Sequence, residues 1–333
     1  MAALMVLFFH MQSQWALVPL LSLVSGVTKW GFAGVDIFFV LSGFVVYRSA
    51  QSSIPAQSIW HFARRRLLRI YLGYWPVLLL IAALTLLVYQ EPLPPLKKMV
   101  FSALLVYPTP ADNWLWTAWS LSMEIYFYLW IGLIALLPQR LHLKAVMCVI
   151  ALLTLWGLGW LHMAPATVYT GQQPLRYGLT GLGIEFLAGA VVAHVYTRKT
   201  SLFRRTHALV PGAIAFILFG FWWGTTSAAY ANVEILRAFS FGMTGLGALL
   251  LALLLEQASW TPPRVLVSVG NASYSLYLLH VPMLSASERF RISYGLGSEA
   301  VLPFSLLALP VAIVLLSIVW YRCVEKPIMK AVL

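Results

Sequence analysis

A handful of side chains in this sequence could do chemistry: His10, Asp36, Glu124, His280 and the pair Arg66 and Arg69. His10 ends the apolar run 1–9. Imidazole titrates near neutrality, so it can serve as a general base or a nucleophile, or it can hydrogen-bond two helices together. Asp36 shares a helical face with Val40, Gly43 and Tyr47; Gly43 lets another backbone come close, and Gly181, Glu185, Gly189 and Ala193, spaced by four, read first as a packing seam. If its helix lies beside that of His10, Asp36 can hold the imidazole in one tautomer, as carboxylates do for catalytic bases. The alternative is a carboxylate that snorkels to water or caps a helix. Arg64, Arg65, Arg66 and Arg69 make a basic cluster in which Arg66 and Arg69, three apart, share a face. Such a pair binds phosphate well, and it is equally a topology signal. Glu124 stands between Ser120 and Tyr128 at steps of four. It could line a substrate path, orient an arginine or sit in a structural network. Ser273, Tyr277 and His280 form another polar stripe, suited to a sugar hydroxyl or to interhelical bonding.

The elements that must position these groups are membrane helices. Of 333 residues 61% are hydrophobic and 10% charged, whereas a soluble domain has about 25% charged. So much apolar surface cannot be hidden in one core, and the fold class expected is an all-α polytopic membrane protein. Apolar stretches of about 20 residues predict ten transmembrane helices, at 1–24, 32–50, 72–89, 116–138, 144–160, 178–196, 209–226, 236–256, 265–283 and 301–321. The run 99–110 is too short to span and reads as interfacial or re-entrant. An ionisable group at the bilayer centre costs at least ~2.5–3.5 kcal/mol, so His10, Asp36 and Glu124 are expected to face protein or a wet cavity.

Net charge is +12, but the basic residues sit in short loops rather than on a nucleic-acid surface. With the N-terminus inside, the inner segments hold Arg48, Arg64, Arg65, Arg66, Arg69, Arg140, Lys144, Arg198, Lys199, Arg204, Arg205, Arg264, Arg322, Lys326 and Lys330, which is 15 of 22. The outer segments hold Lys29, Lys97, Lys98, Arg176, Arg237, Arg289 and Arg291. That asymmetry places both termini in the cytoplasm. The first helix starts at Met1 with neither a basic flank nor a signal-cleavage pattern, and the expectation is that the natural chain begins earlier. Cys148 and Cys323 are not expected to pair. No nucleotide-binding Gly-rich loop, nucleophile elbow or zinc-protease histidine pair is present, and no metal is expected.

Several blocks in order resemble the acyltransferase 3 family of integral-membrane O-acyltransferases. They are Val6-Leu7-Phe8-Phe9-His10, the stretch from Gly34 to Phe44, Arg66-Leu67-Leu68-Arg69, the stretch from Trp119 to Tyr128, the stretch from Ser273 to His280, and Val324-Glu325-Lys326-Pro327. The resemblance spans essentially the whole chain and implies a single transmembrane acyltransferase domain, 1–333, without an appended soluble domain. It implies transfer of an acyl group, with acetyl the expected one, from acyl-CoA to a hydroxyl of a cell-envelope or exported glycan. It carries key roles over to His10, Arg66 and Arg69. Acyl-CoA would be a donor substrate rather than a bound cofactor, its phosphates meeting Arg66 and Arg69 at the inner face. The acceptor, a glycan or lipid-linked glycan, would enter from outside past Asp36 and the Ser273–His280 stripe. His10 would either deprotonate the acceptor or carry the acyl group. The expected location is the bacterial inner membrane, with lipids but no nucleic acid as partners. In one respect the sequence departs from the family pattern: an arginine is usual eleven residues before the helix 1 histidine, a position that here precedes Met1. A transporter or flippase of a polar or lipid-linked substrate would use the same buried ionisable groups, although no paired Gly/Pro-broken helices occur in matching halves. A structural membrane subunit would not need aligned polar stripes.

Overall fold

The computed structural model describes residues 1–16, 21–56, 58–107, 109–163, 180–199, 203, 206–227, 234–295 and 302–332. Every regular element among the described residues is helical. In chain order these are α1 Ala2–Ala16, α2 Ser22–Thr28, α3 Gly34–Ala56, α4 Ile59–Ala83, α5 Leu96–Ala103, α6 Trp119–Ala135 and α7 His142–Met163. There follow α8 Gly181–Arg198, α9 Thr206–Thr226, α10 Glu234–Gln257, α11 Arg264–Asn271, α12 Ser273–Ser293, α13 Leu302–Trp320 and α14 Lys326–Val332. Of the residues used above, Arg176, Arg204, Arg205 and the expected helix starts at 178 and 301 lie outside the described residues.

Among the described residues seven helices are long and apolar enough to cross a membrane: Gly31–Ser53, Ile59–Val88, Trp116–Ala135, Gln139–Gly159, Ala208–Thr226, Ile235–Gln257 and Ser305–Val332. Their leucines point outward, as Leu79, Leu129, Leu133, Leu155 and Leu218 do. Outward apolar side chains on every long helix suit lipid rather than water, and the chain is a membrane protein. The other three expected spans fall short for visible reasons. The expected helix 1–24 is two helices, and α1 has 15 residues, about 22 Å at 1.5 Å each. Helix α8 has 18 residues with four polar or charged side chains, Glu185, His194, Thr197 and Arg198, among them. The expected helix 265–283 breaks at Ala272 into α11 and α12, and α12 carries Glu288, Arg289 and Arg291 at its end.

Helix α4 begins 13 residues earlier than the expected 72, at Ile59. Ser58 explains this, because its Oγ accepts the backbone N–H of His61 at 3.1 Å, the geometry of an N-cap. The arginine cluster is therefore within the helix. Among its described residues the run 99–110 holds only the last five residues of the helix α5, itself eight residues long and too short to span.

The chain divides into two compact units. Unit 1 comprises Met1–Gly34, Leu67–Ser122 and Pro262–Leu333. In it α1 packs on α12, α13 and the turn Gly31–Ala33. A β-carbon at Gly31 or Gly34 would overlap the carbonyl oxygen of Met5 or Ala2, so these glycines let α1 lie against the chain that enters α3. Leu7, Met11, Trp15, Leu276, Leu284, Leu306 and Ile313 form the core. The loop around α5 is tied to α4 by Tyr74 Oη donating to Ser102 O at 3.0 Å and Trp75 Nε1 donating to Ala103 O at 3.0 Å.

Unit 2 comprises Val35–Arg66 and Met123–Thr261. Its seam is α3 against α8. A β-carbon at Gly43 would overlap Phe186 O, and one at Gly189 would overlap Val40 O. Both glycines were expected to permit close packing, and they do so against each other's helix. Phe39, Phe127 and Phe186 stack beside the seam, and α9 and α10 form a second closely packed pair.

Candidate active site

In unit 1 the α1 histidine meets the α12 histidine. His10 Nδ1 lies 3.0 Å from Val6 O and 3.1 Å from His280 Nε2. Val6 is one turn earlier on the same helix, so the contact follows from the helical repeat. A carbonyl has no proton to give. With one proton per ring, His10 must therefore carry it on Nδ1, which leaves the lone pair on Nε2. The Trp116 ring meets His10 edge-on at 5.3 Å. His10 is half-buried, whereas His280 is 0% exposed. A half-buried imidazole with an unprotonated nitrogen is able to take a proton from a hydroxyl.

The stripe beside it is assembled largely as its spacing predicts. Tyr277 Oη donates to Thr117 O at 3.0 Å and lies 2.7 Å from Ser120 Oγ, while the Tyr277 and His280 rings are 5.8 Å apart. Ser273 is the exception. It is the first residue of α12 and half-buried, and the bonded serine is Ser275, whose Oγ donates to Glu325 Oε2 at 2.5 Å. Glu325 is buried, its Oε1 has no hydrogen-bond partner, and the charge of Arg69 acts on it. Tyr274 Oη donates to Ile70 O at 2.7 Å. A carboxylate and a serine thus meet five residues before His280 along α12, about 7.5 Å of helix rise. Sequence reasoning quoted Glu325 without giving it a role; a lone acid inside an apolar terminal helix was the signal.

Unit 2 holds Asp36, Arg66, Glu124 and Tyr128. Asp36 was expected to steady His10, and the structure gives it a different partner. Both its carboxylate oxygens are taken by Arg237, with Nε to Oδ1 and Nη2 to Oδ2 each 2.7 Å. Asp36 is 0% exposed and Arg237 is buried. Arg237, counted among the outer segments at the start of the expected helix 236–256, stands in the first turn of α10. Glu124 Oε1 accepts from Ser42 Oγ at 2.5 Å and from Tyr128 Oη at 2.7 Å. Ser120, expected on the same face, bonds Tyr277 in unit 1 instead. Tyr47 Oη lies 2.7 Å from His194 Nδ1 and 3.3 Å from His142 Nδ1, a buried cluster for which sequence spacing gave no sign. Arg66 is half-buried and Arg69 exposed, both on α4.

The chain is similar to known proteins over most of its length. The family model described as an acyltransferase domain matches residues 1–321. The exopolysaccharide production protein ExoZ of Rhizobium meliloti (strain 1021) is 26% identical over 313 residues, which is 90% of this chain and 90% of the relative. The acyltransferase MdmB of Streptomyces mycarofaciens is 27% identical, over 91% of this chain and 82% of its own. The peptidoglycan O-acetyltransferase OatA of Listeria monocytogenes serovar 1/2a (strain ATCC BAA-679 / EGD-e) is 23% identical over 86% of this chain, which spans about half of it, 48%. No solved structure matches. The family match over nearly the full length of this helical membrane chain identifies the protein as an acyltransferase, a member of the acyltransferase 3 family.

Proposed function

We propose that this acyltransferase moves an acyl group, with acetyl the expected one, from acyl-CoA to a hydroxyl of a cell-envelope or exported glycan, working in the bacterial inner membrane. The observation that carries the proposal is the 3.0 Å contact of His10 Nδ1 with Val6 O, which assigns the ring proton to Nδ1 and leaves Nε2 basic. His10 Nε2 takes the proton of the acceptor hydroxyl. The resulting oxygen attacks the thioester carbonyl, the carbon–sulfur bond breaks, and the proton passes to the departing thiolate. Arg66 and Arg69, one turn apart on α4, hold the donor phosphates. A glycan acceptor is supported by the names of ExoZ and OatA, which concern polysaccharide and peptidoglycan. In this reading α1, α8 and α12 also cross the bilayer, giving ten spans with both termini cytoplasmic.

The test is transfer of label from radioactive acetyl-CoA to the glycan fraction of membranes containing the protein. A general base contributes ~10²–10⁴ in rate, so His10→Ala and His10→Gln should both lose measurable transfer while inserting normally. Arg66→Ala and Arg69→Ala should raise KM for the donor, since each removes charge-assisted bonds worth ~1.5–3 kcal/mol. Near-normal transfer by His10→Gln would make His10 an interhelical bond. Label retained on the wild-type protein when donor is supplied alone would assign His10 to acyl carriage instead.

A further inference from the structure

We infer that His280 is the positioning residue of this site, a neutral acceptor that sets His10 for proton transfer in the place where a carboxylate usually stands. The inference rests on the proposed role of His10 as base. His280 Nδ1 lies 3.1 Å from Leu276 O, one turn earlier on α12. Since that carbonyl only accepts, the ring proton of neutral His280 is on Nδ1 and its Nε2 carries a lone pair. This lone pair faces His10 Nδ1 at 3.1 Å. The Nδ1–H of His10 is thus shared between Val6 O and His280 Nε2. Two helices each fix one tautomer through their own i−4 carbonyl, and the two tautomers are complementary.

The consequence appears when His10 gains a proton at Nε2. The ring becomes a cation in largely apolar surroundings, where charge is costly unless it is hydrogen-bonded. His280 Nε2 accepts from the opposite side of that cation and lowers the cost of forming it. A carboxylate would do so more strongly, but Asp36, the candidate from spacing, is held by Arg237. His280 is 0% exposed and stands one turn from Leu276 and from Leu284, core residues of its own helix, so it acts only through His10.

Geometry also separates this role from simple glue. Replacing His280 by Leu leaves His10 Nδ1–H still bonded to Val6 O, so no buried donor is orphaned, and Leu suits the apolar cluster. The fold should tolerate it while catalysis does not. His280→Leu should lower kcat by about 10- to 100-fold, the worth of one hydrogen bond to a charged group, with KM for acetyl-CoA unchanged. His280→Gln, whose amide oxygen reaches the position of Nε2 and can accept from Nδ1–H, should recover most of the rate. The measurement is initial-rate transfer from labelled acetyl-CoA to the membrane glycan fraction, at matched protein levels; His280→Ala serves in place of Leu if Leu does not accumulate. Wild-type kcat in the Leu or Ala variant overturns the inference, as does equal loss in Leu and Gln. If His10→Ala keeps its activity, the proposed base fails first; if His10→Ala is dead and His280→Leu is fully active, only the present inference fails.

Discussion

Asp36 and Arg237 illustrate how far a single residue can be read from sequence. An aspartate in an apolar block was recognised as needing a partner, but the partner is 201 positions away on α10, and chain distance hides it. Arg237 offered a signal, a lone cation next to the apolar run 238–254, and its place at a helix start let it pass as a loop charge. The pair is bidentate and buried. Removing one partner of such a pair leaves an uncompensated charge and costs ~3–5 kcal/mol, whereas replacing both with apolar side chains is often near neutral. Asp36→Leu or Arg237→Met alone should therefore cut accumulation and heat resistance of the solubilised protein, and the double variant should recover both. The double variant should also retain acyl transfer, since the Asp36 oxygens are committed to Arg237. A well-folded but inactive double variant would return Asp36 to the catalytic machinery.

At the scale of elements, the local patterns were legible and the breaks between them were not. The small-residue stripe of α8 and Gly43 of α3 were read as packing positions because a four-residue repeat is visible in the chain itself. The glycines prove reciprocal, each under a backbone carbonyl of the other helix. A bulky side chain has no room there. Gly189→Leu or Gly43→Leu should abolish accumulation of inserted protein, measured by membrane fractionation and blotting. Gly270→Ala, where a β-carbon meets nothing within 4 Å, should accumulate normally. Equal accumulation of all three would mean that α3 and α8 do not touch this closely. What a 20-residue hydropathy window smoothed over were single-residue signals. Ser58 starts α4 well before its apolar run, and at Ala272, with φ −89° and ψ 6°, the chain leaves helical geometry between α11 and α12. That break frees α12 to begin with its own register, which is what aims Ser275 at Glu325 and His280 at His10.

For the whole molecule, the difference between seven apolar spans and ten expected ones has a physical origin. The helices that miss the apolar criterion, α1, α8 and α12, carry His10, Glu185 and His280. In α8 all but a few side chains are buried, and in α12 the turns around His280 are. A helix surrounded by protein does not need a lipid-compatible surface, so composition alone underestimates it. If α8 crosses, the chain on its two sides must lie on opposite faces of the membrane, and likewise for α12. Reporter fusions after Met163 and Lys199 should therefore read periplasmic and cytoplasmic, and fusions after Gln257 and Gly295 cytoplasmic and periplasmic. A fusion at Leu333 should read cytoplasmic, as the excess of basic residues on that side requires. Should Met163 and Lys199 report the same face, α8 would be a re-entrant or interfacial helix. Should Gln257 and Gly295 report the same face, α12 would not span, and His280 could no longer meet a base placed midway between a donor inside and an acceptor outside.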